Sequence, residues 1–315
     1  MPLPRLDDDD EIARHRHRRA LVDMHFHTRW SDGLATPAHA VARARELGVR
    51  VAITDHNVIE GALEAWTLAG DEAESLVLPG IEVTTAEKIH LLIWFRRPTD
   101  LHHFYEHQVG PFRPRGATAT SVVGRPVADL LDVLRRYDHI TSAAHPFAAA
   151  KNGWMSVRAA HRHIETLLGD LDAVEVLNGE ELDGGNEAAT ELAQRRGFGA
   201  TAGSDGHTLR ELGNVAVVLP EGADLFEAVR ARELSLVDRR APGTWRRLLA
   251  HSAKAPYFAQ RPGRFAWRWA RGERGEGPLT RRGLRASEVT LEGPVPTRSH
   301  APGPDAGDAL DPQAS

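Results

Sequence analysis

Imidazole and carboxylate groups recur at the ends of short apolar segments along the chain. The first such segment ends in Asp23, His25 and His27, which share one face if the segment is a β-strand with its side-chain period of two. The other groups at or beside apolar segments are Asp55, His56, Glu82, His90, His145, Asp205 and His207. Nitrogen and oxygen ligands of these types suit Zn, Mn or Fe, so the pattern predicts a metal centre.

The composition restricts what kind of centre this can be. The chain has 315 residues with seventeen histidines and no cysteine. A disulfide framework, an iron–sulfur cluster and a thiolate zinc site are therefore excluded. Any metal would be held by histidine and carboxylate side chains.

A single His-x-His motif is weak evidence for a metal. The same spacing occurs at His15 and His17 and at His161 and His163, where polar surroundings predict solvated side chains. Partly buried histidines bonded to backbone carbonyls would explain His25 and His27 equally well if they stood alone. The recurrence of ligand types at five strand ends and beside a sixth strand favours the metal interpretation.

The order of the segments predicts how these groups are brought together. Apolar runs alternate with amphipathic runs, as expected for βα units around a parallel sheet. Strands are predicted at residues 21–26, 49–54, 76–83, 88–95, 139–144, 173–177, 198–203 and 214–219. Helices are predicted at residues 37–47, 62–73, 127–138, 156–168, 186–196 and 224–232. The carboxyl ends of parallel barrel strands open on one face, where we expect the site.

Three regions follow from the composition. We expect an N-terminal extension at 1–20, a barrel domain at 21–240 and an Arg/Pro/Gly-rich extension at 241–315 that is largely disordered after about residue 272. Residues 243–315 carry twelve Lys/Arg and seven Asp/Glu, so the net charge of −5 leaves −10 for residues 1–242. An acidic body disfavours a nucleic-acid grip over its whole surface.

The apolar runs are short. The longest span five residues, far below the ~20 that a membrane-spanning helix needs. We therefore expect a cytoplasmic chain without a transmembrane segment, whose oligomeric state the sequence does not indicate. Residues 96–126, with four prolines and three glycines, are expected to form a long loop that contributes to specificity.

The sequence resembles the PHP (polymerase and histidinol phosphatase) family. The matching segments occur in family order at residues 23–28, 31–33, 54–57, 80–83, 90, 144–147, 175–178 and 203–207. The resemblance implies a distorted (β/α)7 barrel with three divalent metal ions, Mn, Zn or Fe, at the C-terminal ends of the strands. One departure is Ile89, where the family usually has glycine, which could tilt His90.

The resemblance also implies which residues bind metal. The first metal would take His25, His27, Glu82 and Asp205. The second would take Glu82 as a bridging ligand with His90 and His145, and the third would take Asp32, His56 and His207. Of these, Glu82, Asp205 and His207 are expected to be catalytic.

Such a centre suits phosphoester hydrolysis. Two metals that share Glu82 would share a water and lower its pKa towards neutrality, which supplies a hydroxide nucleophile. The same cations neutralise phosphate oxygens. We expect a metal-dependent phosphoesterase acting on a small phosphoester: a nucleotide, a short single-stranded oligonucleotide, or a sugar or amino-alcohol phosphate.

Residues outside the ligand set have weaker assignments. Arg29 and Lys151 are candidates for phosphate binding, although both could be solvated loop cations. Asn178 could orient substrate or a ligand, or cap a turn. Asp23 and Asp55 are expected to fix imidazole tautomers, and Asp55 could equally cap a helix.

Two rival functions remain open on the sequence. An amidohydrolase-like C–N hydrolase uses a similar barrel but often needs a carboxylated lysine, for which only Lys88 is near. A non-catalytic metal-binding regulatory module is the second rival. The cluster of His102, His103 and His107 is interpreted as the exposed face of a helix. The aromatic and basic residues 265–269 are interpreted as packing a terminal extension against the barrel.

Overall fold

The computed structural model describes residues 3–17, 20–118, 121–148, 153–156, 164–181 and 184–240. Nine strands lie within these ranges. In chain order they are β1 (Leu21–Phe26), β2 (Val49–Ile53), β3 (Val77–Thr84), β4 (His90–Phe95), β5 (His139–Ala143), β6 (Ala173–Asn178), β7 (Gly199–Gly203), β8 (Val215–Val218) and β9 (Ser235–Asp238).

Nine α-helices lie in the same part of the chain. They are α1 (Asp9–His17), α2 (Pro37–Leu47), α3 (Glu60–Ala69), α4 (Ala73–Leu76), α5 (Pro98–Phe104), α6 (Val127–Leu134), α7 (Ile164–Leu168), α8 (Gly185–Arg196) and α9 (Leu225–Ala231). None of the described helices is long and apolar enough to span a membrane.

The strands form one sheet in the order β7-β6-β5-β4-β3-β2-β1-β8-β9. The sheet curls until β1 meets the end of β7, where Phe26 bridges Gly206 and the His27 amide donates to the Gly206 carbonyl at 2.9 Å. Strands β1 to β7 thus form a nearly closed barrel with helices outside it. This confirms the predicted distorted barrel of α/β class.

The barrel is not fully parallel, which corrects the expectation from the sequence. β4 runs antiparallel to both β3 and β5, and β8 runs antiparallel to β1. Only residues 85–89 separate β3 from β4, and so short a connection makes a hairpin because a parallel crossover needs a dozen or more residues. The reversal puts the first residue of β4, His90, at the same barrel edge as the carboxyl ends of the parallel strands.

Gly203 allows the barrel to close at β1. A Cβ atom on Gly203 would lie 2.4 Å from both the Cβ and the backbone nitrogen of His25. Real Cβ atoms do not approach other atoms so closely, so any larger residue would push β7 away from β1. The position of His25 therefore depends on a residue without a side chain in the neighbouring strand.

Local signals define several helices as expected. Helix α2 begins after Thr36, whose hydroxyl accepts from the His39 amide, and ends at Gly48 in the left-handed conformation with φ 63°. Helix α3 begins two residues before the prediction and ends four residues early. Gly70, with φ 58°, interrupts the helix and a short 3₁₀ turn follows.

The predicted long loop at 96–126 contains regular structure. Helix α5 continues into a π-helical turn at Tyr105–Val109 and a 3₁₀ turn at Gly110–Phe112. Pro98 is the first residue of α5, and Pro111 lies in the first turn of its 3₁₀ segment, where proline is compatible with helix. The predicted helix at 156–168 is described only as α7, because residues 157–163 lie outside the described ranges.

The N-terminal region packs on the barrel. Backbone hydrogen bonds link Leu6 and Pro4 to Leu236 of β9, and Ile12 of α1 is buried against β1 and β8. The sequence pattern missed both α1 and β9, because each has a single apolar face of few residues. The predicted extension at 241–315 lies outside the described residues.

We expect Gly203→Ala to lower the melting temperature by roughly 5–10 °C, because the new methyl group would separate β7 from His25. The matched control is Gly124→Ala, whose Cβ would find its nearest atom at an ordinary 3.6 Å. Thermal unfolding followed by circular dichroism measures both variants. Equal melting temperatures would show that the closure does not depend on Gly203.

Candidate metal centre

The barrel brings all nine expected ligands to one edge. All nine residues are buried, with exposed fractions of 9% or less. Three of them are carboxylates, and six are imidazoles. They are His25, His27, Asp32, His56, Glu82, His90, His145, Asp205 and His207.

One group surrounds the end of β1. His25 Nε2 lies 3.1 Å from His27 Nε2, 3.3 Å from Glu82 Oε2 and 3.5 Å from Asp205 Oδ1. His27 Nε2 lies 3.1 Å from Asp205 Oδ1. Ligands about 2.1 Å from one ion at tetrahedral angles are about 3.4 Å apart, so these spacings fit a shared cation.

A second group contains the other oxygen of Glu82. Glu82 Oε1 lies 2.9 Å from His90 Nδ1 and 3.3 Å from His145 Nε2, and the two imidazole nitrogens are 3.3 Å apart. Ile89, in place of the usual glycine, is buried in the core. His90 still lies 2.9 Å from Glu82, and Lys88 in the same turn takes the left-handed conformation at φ 64°.

A third group lies around Asp32. Asp32 Oδ2 is 3.5 Å from His56 Nε2 and 3.3 Å from His207 Nε2. His56 could also belong to other metal-binding groups. Its ligand atoms lie within 4.8 Å of those of His27 and Asp32, and also within 4.8 Å of those of Glu82 and His90. His56 thus lies between two possible ion positions.

The buried polar atoms of the centre fit metal binding better than mutual hydrogen bonding. His56 Nδ1 is 3.0 Å from Glu82 Oε2, and Glu82 Oε1 is 2.9 Å from His90 Nδ1. Neither His56 Nδ1 nor Glu82 Oε1 makes a hydrogen bond, although both are fully buried. Buried polar atoms are otherwise almost always hydrogen-bonded. Short distances at unsuitable angles are expected for atoms that point at a common cation.

Electrostatics distinguish the members of the cluster. Burial lowers the pKa of His27 to about 4. Burial acts in the same direction on His56, but the carboxylates of Glu82 and Asp32 outweigh it and raise the pKa of His56 to about 9. Burial would raise the pKa of Glu82, yet the imidazoles of His56, His90 and His25 hold it well below its usual range. The Glu82 carboxylate is therefore ionised throughout the neutral pH range.

Backbone strain is concentrated at the centre. His145 and Asp205 have φ values of 26° and 47°, in the left-handed region that non-glycine residues avoid. Asn57, next to His56, has φ 55°. Strain of this kind persists only where surrounding contacts enforce it and is common at functional sites.

Glu175 is a site residue whose role the sequence did not reveal. Its Oε1 lies 2.9 Å from His25 Nδ1, and its Oε2 accepts from the His145 amide at 2.8 Å. This carboxylate leaves His25 Nε2 directed at the centre and supports the strained backbone of His145. A charged residue inside the apolar strand β6 was the available signal.

Asn178 lies behind the ligands. Its side-chain amide donates to Glu175 Oε2 at 2.9 Å and to Asp205 Oδ2 at 3.3 Å, while its Oδ1 accepts from the Glu180 amide. It therefore both holds the Asp205 carboxylate and caps a turn. The side chain is fully buried, and its contact with substrate stays a prediction.

Asp23 and Asp55 do not orient imidazoles, contrary to expectation. Asp23 accepts from the amides of Ser204 and Gly213, each at 2.8 Å, and burial raises its pKa to about 6. Asp55 accepts from the amide and hydroxyl of Thr28. Both carboxylates fix backbone segments next to the expected ligands, Asp23 through amides and Asp55 through Thr28 and the Ser31 hydroxyl.

The candidate phosphate-binding residues are Arg29 and Lys151. Arg29 is exposed in the loop after His27 and has no ion-pair partner in the described part of the chain. Lys151 lies outside the described residues. Lys88, the lysine that a C–N hydrolase would need, is exposed in the turn between β3 and β4.

The histidine cluster on α5 and the π-helical turn after it is separate from the centre. The rings of His103 and His107 stack with centroids 4.3 Å apart. His103 Nδ1 lies 2.7 Å from the Tyr137 hydroxyl, and His107 Nδ1 lies 2.8 Å from the His103 carbonyl. These contacts tie the pair to α5 and to the segment after α6.

Comparisons with known proteins agree on a family. A model described as the PHP domain matches residues 23–152, and one described as PHP-associated matches residues 184–234. No curated protein matches the chain.

Solved structures share the fold. PsfC from Pseudomonas syringae has a TM-score of 0.54 and 17% identity, with 76% of this chain and 98% of that chain covered. The lesion-specific endonuclease PfuEndoQ from Pyrococcus furiosus has a TM-score of 0.54 and 16% identity, with 69% and 57% covered. An endonuclease Q bound to a 27-mer duplex with an abasic lesion at the active site has a TM-score of 0.51 and 15% identity, with 67% and 55% covered. The chain spans little more than half of these endonucleases.

The raised pKa of His56 predicts that metal binding releases protons. With a pKa of about 9, His56 is protonated at pH 7 in the metal-free protein, and it must lose that proton to bind an ion. Affinity for Mn²⁺ or Zn²⁺ should therefore rise from pH 6 to pH 8. Calorimetry in buffers of different ionisation enthalpy should detect about one proton fewer for His56→Ala than for the wild type. The control His103→Ala should match the wild type, and pH-independent affinity would contradict the assignment.

Proposed function

The chain belongs to the PHP family of metal-dependent phosphoesterases, and from this we propose that it hydrolyses a small phosphoester. Candidate substrates are a nucleotide, a short single-stranded oligonucleotide, or a sugar or amino-alcohol phosphate. The observation that carries the proposal is the buried cluster of six imidazoles and three carboxylates at one edge of the barrel. The cytoplasmic location expected from the sequence is kept as part of the proposal.

We assign three divalent ions, Mn, Zn or Fe, to the nine ligands. His25, His27, Glu82 and Asp205 would hold the first, and Glu82 with His90 and His145 the second. Asp32, His56 and His207 would hold the third. Distances of 2.9–3.5 Å between neighbouring ligand atoms occur in each set and support the proposal, and His56 also lies 3.0 Å from Glu82 Oε2 of the first two sets.

Divalent ions at these positions supply Lewis acidity towards phosphate oxygens and lower the pKa of water. The protein's own residues contribute position and charge. Glu82 is ionised and its two oxygens contact the first and the second ligand set, so in this proposal it would bind both ions. Asp205, fixed by Asn178, and His207, whose Nδ1 donates to the Asp205 carbonyl at 2.8 Å, are the further catalytic candidates.

Phosphate recognition requires a cation near the centre. Arg29 follows His27 by two residues and keeps its guanidinium free of carboxylates in the described structure, which supports a role in binding substrate phosphate. Lys151 is proposed for the same role from its sequence position alone, six residues after His145. An oligonucleotide substrate is consistent with the DNA-bound endonuclease Q of the same fold.

We expect the Mn²⁺- or Zn²⁺-loaded protein to release phosphate or nucleoside from at least one phosphomonoester, phosphodiester or short oligonucleotide. His25→Ala should lower kcat/KM at least about a hundredfold, because even the outer partners of metal ligands are worth 10- to 100-fold. Asp205→Asn, which preserves side-chain volume, should act in the same direction.

His103→Ala on the surface of α5 is the matched control and should retain wild-type activity. Circular dichroism establishes that each variant is folded. If the metal-loaded wild type hydrolyses none of these phosphoesters, the non-catalytic metal-binding module replaces the phosphoesterase as the best account.

A further inference from the structure

We propose that a rim segment, the described residues 110–118 and 121–126, selects nucleotides among the phosphoesters by stacking a base on Phe112 and binding flanking phosphates through its arginines. This inference rests on the proposed phosphoesterase function and names the substrate class of the same site. Three features of the rim segment support base stacking: its position, its exposed aromatic ring and its charge.

The rim segment lies beside the metal centre. The side-chain amide of Asn57, the residue after His56, donates to the Ser121 carbonyl at 2.9 Å. The Val123 amide donates to the carbonyl of Thr84, which pairs with His90 across the β3–β4 hairpin. Both contacts join the rim segment to residues adjacent to ligands.

Backbone hydrogen bonds also connect the rim segment to Phe112. The Ala86 amide donates to the Arg125 carbonyl at 2.9 Å, and the Gly124 amide donates to the Phe112 carbonyl at 3.1 Å. Phe112 is therefore joined through Gly124 to the part of the rim segment that contacts Asn57 and Thr84. In the proposal, a nucleotide whose phosphate is at the metals places its base, or that of the adjoining nucleotide, over Phe112.

The exposed Phe112 ring has the features of a base-stacking surface. Its exposed fraction is 39%, and among the described residues it is the only aromatic side chain among the large exposed hydrophobics. The Arg125 guanidinium lies over the ring, 4.7 Å from its centroid, and is held there by Gln108 at 2.9 Å and Asp129 at 3.4 Å. A ring supported on one side by a cation and still open to solvent suits stacking with a base.

The charge of the region favours an anionic ligand. Residues 107–128 contain Arg113, Arg115 and Arg125 and no aspartate or glutamate, although residues 1–242 together carry −10. Arg115 is exposed and has no ion-pair partner in the described part of the chain. Arg113 donates to the Tyr105 hydroxyl at 3.1 Å, which orients it without neutralising it.

An aromatic ring and two arginines, Arg113 and Arg115, without an ion pair in the described residues fit a ligand with both π-faces and several phosphates. A sugar phosphate offers no π-face, and an amino-alcohol phosphate adds a positive charge that the arginines repel. A nucleotide or short single-stranded oligonucleotide satisfies both features.

The test compares binding of two probes of equal length to the metal-loaded full chain by calorimetry. One is a hydrolysis-resistant phosphorothioate tetra-adenylate, and the other is the same backbone without bases. We expect the wild type to prefer the base-containing probe by about tenfold and Phe112→Ala to abolish most of that preference. Leu68→Ala, which removes a comparably exposed hydrophobic side chain on α3, is the control and should retain it.

Salt dependence tests the arginines separately. Arg115→Gln should reduce the slope of log affinity against log salt by about 0.7 for the base-containing probe. Equal affinity of the wild type for both probes, failure to bind either, or a preference that survives Phe112→Ala would overturn the inference. Because binding is measured without turnover, failure of the phosphoesterase proposal appears only in the hydrolysis assays.

Discussion

The structure depends on a buried carboxylate among imidazoles. Glu82 is inaccessible to solvent, and each of its oxygens lies within 3.3 Å of two or more histidine nitrogens. Transfer of a charged group out of water costs on the order of several kcal/mol, which neighbours must offset. Protonated imidazoles offset this cost, and divalent cations would offset it with more positive charge. The barrel mouth is therefore arranged around the neutralisation of Glu82 and its fellow carboxylates.

Several contacts in the surrounding fold hold the histidines of this centre in place. Gly203 lets β7 approach His25, and Glu175 holds both His25 and the backbone of His145. The indole of Trp154, itself fully buried, donates to the His90 carbonyl at 2.7 Å. Each contact restrains a ligand from outside the cluster, so the strained backbone at the strand ends is kept by packing and by hydrogen bonds.

The sequence predicts much of this arrangement, because the ligand types are placed at strand ends. The strand β1 and the helix α2 have the predicted bounds, since alternation and capping residues are local signals. The antiparallel direction of β4 was missed, although the short gap between β3 and β4 implied it. His90 was therefore expected near the start of a strand without a reason why that end should reach the centre.

Other features could not be predicted because they depend on tertiary contacts. Asp23 and Asp55 were expected to contact imidazoles, but amides of distant segments lie against them. The role of Glu175 requires knowledge that β6 lies near both His25 and His145. The stacking of Arg125 on Phe112 joins residues thirteen positions apart through a turn that composition alone does not specify.

The most direct test of the account is a crystal structure of the full chain grown with Mn²⁺, with anomalous scattering used to locate the ions. The account predicts three ions at the barrel edge, with Glu82 contacting two of them and with His56 and His207 contacting the third. Ions bound only elsewhere, for example at His103 and His107, or a barrel edge without ions at saturating Mn²⁺, would contradict it.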